Sequence, residues 1–202
     1  MNKKILATLS VVTVVLAGCT GQFETNYEQP LNASEARGWN VQSVDVVVPD
    51  ELTVSNRNVY APNADIVWHG DPTGNRRTQV RQILTDGISE GASDLHGQRP
   101  VRLAVQLQEF HGVTPVALSR APGAVHNISY TAQVFDLRTG EAITDPQLIR
   151  ADLQANVGVS AVIAAQAGDT QKTRITEHLA AVTKGWLGIG PDQRQVFSGV
   201  GR

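Results

Sequence analysis

Five histidines, at positions 69, 96, 111, 126 and 178, are the natural starting points for acid–base or metal chemistry in this chain. None stands in a ligand-spaced pair. There is no His-Glu-x-x-His, and the single cysteine rules out a thiolate-rich zinc site. His178 falls at offset three of an apolar helical stripe that begins at Ile175, the position of a core histidine. His111 and His126 bracket a long apolar stretch and meet only if the strands flanking it pair. Ser55, Ser119 and Ser160 lack the Gly-x-Ser-x-Gly elbow of a hydrolase nucleophile. Asp136 and Glu141 flank a turn, where carboxylates are solvated. The glycines of Gly185-Trp186-Leu187-Gly188-Ile189-Gly190 follow a helix, whereas a phosphate cradle has to open one. No catalytic residue, metal ligand or cofactor is therefore expected, and the chain reads as a non-enzyme.

Cys19 is the residue with chemistry written around it. Lys3 and Lys4 precede an almost unbroken apolar run, Ile5–Leu16, and Leu16-Ala17-Gly18-Cys19 closes it with small residues. The run has the length of a signal-peptide core and is too short to span a bilayer. The stretch resembles a bacterial lipoprotein signal, with Leu16-Ala17-Gly18 as the lipobox and Cys19 as the acylated first residue of the mature chain. Acyl chains on that sulfur supply the anchor, each buried methylene contributing about 0.8 kcal/mol. Thr20 follows, where an aspartate would resemble an inner-membrane retention signal. The expected location is the periplasmic face of the envelope, on the outer membrane in preference to the inner one.

Composition agrees with an exported domain. Cleavage before Cys19 removes two of the 17 basic residues, so 15 face 19 acidic ones and the net charge is −4. Such a chain has no global attraction for nucleic acid. One cysteine excludes an internal disulfide, so the fold has to stand on its core.

Along the chain, residues 19–38 are polar and aperiodic and predict a lipidated tether with a reach of roughly 25 Å. Trp39–Val48 predicts a strand with Val44, Val46 and Val48 on one face, and Ala64–His69 a second, shorter one. After the breakers at 70–74, Val80, Ile83, Leu84, Gly87, Ile88, Gly91, Ala92 and Leu95 form one helical stripe. Asp71 or Asn75 caps its start and Gly97 its end. Its two internal glycines suit a close approach to a sheet. Pro100–Phe110 and His126–Leu137 alternate cleanly, with Val101, Leu103, Val105 and Leu107 in phase on the first and Ile128, Tyr130, Ala132 and Val134 on the second. The alternation predicts one covered and one wet face. Glu141–Thr144 continues a hairpin and Leu148–Val157 adds a strand. Asp169 or Thr170 caps a second helix that runs to about Lys184.

The order β-β-α-β-β-β-α predicts an α+β fold, a mainly antiparallel sheet of four to five strands with two helices on one face. The boundaries follow: signal peptide 1–18, tether 19–38, domain 39–191 and a frayed tail 192–202. Two connections, His111–Val125 and Gly158–Ala167, are apolar for surface segments. Val113, Val116, Leu118, Val162 and Ile163 are their candidate partner-binding or bilayer-touching residues. The opposing reading is that they fold back over the sheet and enlarge its core.

The lipobox, the strand-turn Asp65-Ile66-Val67-Trp68-His69-Gly70-Asp71 and the arginine-bearing helix after it resemble a family of alphaproteobacterial lipoproteins of unknown function. That resemblance implies no residue roles. In element order alone the chain is similar to ABC-transport auxiliary lipoproteins and to the TolB amino-terminal domain, which implies partner binding between membranes and no catalysis. The leading expectation is thus a lipid-anchored envelope lipoprotein that binds an envelope protein or glycan. The alternative is a carrier of a lipid or small apolar ligand held between helices and sheet. An envelope hydrolase lacks an identifiable nucleophile.

Overall fold

The computed structural model describes residues 21–199. Cys19 and the signal stretch lie outside them. In chain order the elements are β1 (Gly21–Asn26), α1 (Ala33–Ala36), β2 (Trp39–Val47), β3 (Val54–Ser55), β4 (Ile66–Val67), α2 (Arg76–Ala92) and β5 (Arg99–His111). They continue with α3 (Pro115–Arg120), β6 (Val125–Asp136), β7 (Gln147–Ala151), β8 (Leu153–Gln154), α4 (Val159–Gln166), α5 (Gln171–Trp186) and β9 (Gln195–Gly199).

The fold is α+β, and its sheet is larger than the periodicity predicts. Among the described residues nine strands form the sheet, in the order β3-β4-β5-β6-β7-β1-β9, with β2 also on β5 and β8 also on β6. The long antiparallel pair β5–β6 is its centre. β2 runs parallel to β5, from Trp39 opposite Arg99 to Val47 opposite Gln106. A parallel neighbour needs a crossover element, and α2 is that crossover. Short β4 lies on the same side of β5 beyond the end of β2, with Ile66 opposite Phe110.

Burial follows the predicted phase. Val101, Leu103, Val105 and Leu107 of β5 and Ile128, Tyr130, Ala132 and Val134 of β6 are buried on one face. They form one core with Val80, Ile83, Leu84 and Ile88 of α2 and Ile175, Leu179, Val182 and Trp186 of α5. The other face carries Arg102, Gln106, Gln108, Thr131, Gln133 and Phe135 toward solvent. Asn75 caps α2 by accepting from the Thr78 amide, and the helix ends at Ser93, short of the predicted stop at Gly97. Thr170 caps α5 by accepting from the Thr173 amide.

The glycine pair inside α2 is explained by α5 and not by the sheet. A Cβ on Gly87 would lie 2.7 Å from Leu179 Cβ, and one on Gly91 would lie 2.6 Å from Thr183 Cβ. The helices touch backbone to side chain at both points.

Several expectations need correction. Residues 21–38 are not a free tether. Phe23, Thr25 and Tyr27 alternate inward and are buried, and β1 pairs with β7 on one side and β9 on the other. The expected frayed tail contains β9, held along its length from Gly21↔Gly199 to Thr25↔Gln195. The ordered domain thus extends past both predicted boundaries. Both apolar connections contain helices. Thr114 caps α3 with Pro115 in its first turn, and Gly158 opens α4 at φ +59°, a backbone region that glycine adopts freely. Leu148–Val157 divides into β7 and β8, and Glu141–Thr144 keeps only a bridge, Phe135↔Ala142.

The helix contact yields a test. Gly91→Ala should lower stability by about 1–2 kcal/mol in urea titration, because overpacking outweighs the gain of about 1 kcal/mol in helix propensity. Ser89→Ala, exposed on the same helix, should be neutral or slightly stabilising. Equal effects from the two substitutions would contradict the close approach.

Candidate functional site

The polar groups that could do chemistry gather where β7 gives way to β8. Asp152 sits at that break, buried, and its carboxylate accepts from the Glu24 amide at 3.1 Å, the Ile128 amide at 3.3 Å and Asn127 Nδ2 at 3.3 Å. Its main-chain carbonyl accepts from Thr25 Oγ1 at 3.0 Å. Asp152 therefore ties β1 to β6 across the point where β7 stops pairing. Thr25 Oγ1 is also 3.3 Å from His178 Nε2. A hydroxyl, an imidazole and a carboxylate meet here, but Thr25 is wholly buried and its proton is given to a carbonyl.

His126 lies nearby, at 1% exposure, and its Nδ1 accepts from the Val113 amide at 3.3 Å. Burial, aided by the charges of Arg174, His178 and His111, pushes its pKa down to about 3. Burial likewise pushes His178 down to about 4. Burial raises Asp152 against the opposing pull of its amide donors. His111, which the sequence places near His126, is buried too, with Nε2 3.0 Å from the Pro62 carbonyl. The two histidines do stand on paired strands, yet each holds a backbone group in place. Among the described residues no cluster of histidine, cysteine and carboxylates could hold a metal ion.

The motif Asp65–Asp71 is architectural as well. Trp68 meets Phe110 edge-on at 5.6 Å and donates from Nε1 to Asp71 at 2.7 Å, while Asp71 also pairs with Lys172 Nζ at 2.8 Å. One carboxylate thereby joins the strand-turn to the start of α5. Arg76, buried, fastens the same turn through Asn56, Gln79 and the carbonyls of Asp71 and Pro72.

The two apolar connections come together. Gly158 N donates to the Leu118 carbonyl at 2.6 Å, which pins the start of α4 to α3. Of the candidate residues, Val113 is buried with Ala117, Ala124 and Ala155, and Val116 and Leu118 are half-buried. Val162 and Ile163 are exposed at 57% and 62%, beside Val159 at 76%. The fold-back reading thus holds for Val113, and the exposed-surface reading holds for α4. Between the helices runs an open groove of about 500 Å³ floored by Pro115, Leu118, Ala161, Val162 and Ala165. Val159 was missed because the small apolar run shows no decisive period, but its spacing to Val162 and Ile163 is that of one helical face.

The wet sheet face offers a second surface. The Arg102 guanidinium lies 4.3 Å over the Phe135 ring and 3.5 Å from Asp45. Asp45, Val47, Gln106 and Thr131 surround them in a shallow recess of about 330 Å³.

A family described only as of unknown function, DUF6778, matches residues 39–202. The chain belongs to that family. The membership bears out the expected resemblance to proteins without an assigned function. No curated protein matches the DUF6778 chain in sequence. Among solved structures, a Caulobacter crescentus CB15 protein described as a lipoprotein is 11% identical at a TM-score of 0.35, covering 77% of this chain and 95% of that one. A PelC dodecamer from Paraburkholderia phytofirmans is 11% identical at 0.33, covering 83% and 97%. At such scores nothing of lipidation, assembly or function transfers to this chain. Among the described residues no helix is long and apolar enough to cross a membrane.

The buried histidines make stability depend on pH. Each imidazole stays neutral in the fold but binds a proton at about 6.5 once the chain unfolds. The unfolded chain therefore holds more protons below that pH, and the stabilising contribution, complete above about pH 6.5, is lost as pH falls toward about 4. Asp152 opposes this loss at the lower end, because its raised pKa lets the fold take up its proton first. Urea midpoints should decline through this window, and His178→Gln should flatten the slope. A wild-type midpoint constant from pH 6.5 to 4 would contradict the buried, neutral histidines.

Proposed function

We propose that the DUF6778 chain is a non-enzymatic envelope lipoprotein, anchored through Cys19, whose domain binds an envelope protein or glycan on its open sheet face. The observation that carries this reading is the one-sided sheet. α2 and α5 lie on a single face, and the other presents Arg102, Phe135, Gln106 and Thr131 around a recess. Stacked guanidinium and ring with hydrogen-bonding neighbours suit a polar partner surface or a sugar. The polar cluster around Asp152 is engaged in joining strands, which favours binding over catalysis. The sheet, α2 and α5 pack their buried residues into one core cluster, which weighs against a ligand carried between them. The anchor itself rests on Leu16-Ala17-Gly18-Cys19 and favours the outer membrane, since Thr20 is not an aspartate.

Cys19→Ala should move the protein from the membrane to the soluble fraction without changing its urea midpoint. A photo-crosslinker at Gln106 should give a discrete adduct with an envelope protein or glycan, and Arg102→Glu should abolish it. A membrane-bound Cys19→Ala protein would refute the anchor. An anchored protein that forms no adduct from this face would refute the partner.

A further inference from the structure

We propose that the tip formed by α3 and α4 seats on the phospholipid leaflet that receives the acyl chains of Cys19, so that the sheet stands end-on to the membrane. The inference rests on the lipid-anchor reading and adds the surface that meets the bilayer.

The tip is built like an interfacial element. α4 has no buried residue, and Val159, Val162 and Ile163 share one helical face at offsets 0, 3 and 4. The groove beside them is apolar. From Leu153 to Gly168 there is no charged residue, and between Phe110 and Phe135 there is no carboxylate. The formal charge α3 contributes is exposed Arg120 in its last turn, suited to a lipid phosphate. An apolar stripe without acids, flanked by a cation, lies in the headgroup boundary with its apolar face buried by about 5–10 Å.

The place of the tip names the lipid leaflet as its occupant. Gly21 opens β1 opposite Gly199 of β9. A Cβ on Gly199 would touch Val125, the first residue of β6 after α3. Val125 in turn pairs with Gln154, four residues before Gly158 opens α4. The start of β1, the end of β9 and both tip helices therefore occupy one end of the sheet. Only Thr20 separates Cys19 from Gly21, so at about 3.3–3.6 Å per residue their Cα atoms are at most about 7 Å apart. That short link keeps the start of β1, and with it this end of the sheet, close to the bilayer that holds the acyl chains. Exposed Asp94 and Glu141 lie at the opposite end, beyond the last residues of α2 and β6.

The test uses the acylated full-length protein in phosphatidylethanolamine–phosphatidylglycerol vesicles whose acyl chains carry bromine, a tryptophan quencher. Trp39, Trp68 and Trp186 are buried and give a constant background. Ile163→Trp should float with the vesicles and lose about half of its added emission, in keeping with insertion to a depth of about 5–10 Å. Leu137→Trp, exposed at the far end, should float equally and keep its emission. Floating Ile163→Trp protein that is not quenched, including one that instead crosslinks to a protein through position 163, overturns the seating and leaves the anchor standing. Wild-type protein that fails to float, behaving as Cys19→Ala does, overturns both.

Discussion

Asp152 clasping β1 to β6 is the interaction on which the arrangement of this protein depends. Sheet pairing alone holds β1 to β7 at only Thr25↔Ala151 and Asn26↔Arg150. The carbonyl of Asp152 reinforces that grip at Thr25, and its carboxylate extends it to Glu24, where the β7 ladder has ended. A carboxylate buried for this purpose is costly unless its acceptor sites are filled, and here two main-chain amides and one side-chain amide fill them. β9 pairs with β1 alone along its whole length, so it too stands on this junction.

From that junction follow the two surfaces. β1 opens at Gly21 and is locked into the sheet, so an anchor at Cys19, as proposed, would act on that end of the sheet. In the proposed orientation the apolar α3–α4 tip meets lipid, and the uncovered sheet face, carrying Arg102 over Phe135, stands at the side. On the other face α2 and α5 pack closely against each other at Gly87 and Gly91.

Much of the core was legible in the sequence because its periods are strong. The β5 and β6 alternation, the α2 stripe and the candidate caps, of which the fold uses Asn75 and Thr170, all rest on local chemistry that needs no partner to be seen. What escaped depends on partners distant in the chain. β1 has only Phe23 and Thr25 as its inward row, continued by Tyr27 just past its end, and one of those is polar. Its strand character comes from β7 and β9, more than a hundred residues away. β9 shows the same weakness, since Val196 and Phe197 are set among polar residues. The Asp152 clasp was invisible because its donors come from Glu24, Asn127 and Ile128, residues that share no motif. Whether Val113 was exposed or folded back stayed open in the sequence, because its neighbours Ala117, Ala124 and Ala155 are brought beside it only by the fold.

The height of the sheet's far turn above the membrane tests the end-on arrangement most directly. With Cys19 acylated, a cysteine in place of Arg138 gives a single free thiol for a spin label, whose distance from a paramagnetic lipid headgroup can be measured on vesicles. β6 spans 12 residues, so at about 3.3 Å per residue the label should stand about 40 Å from the headgroups. A label within about 10 Å of the lipid, less than the rise of four strand residues, would mean that the sheet lies flat and would contradict the account.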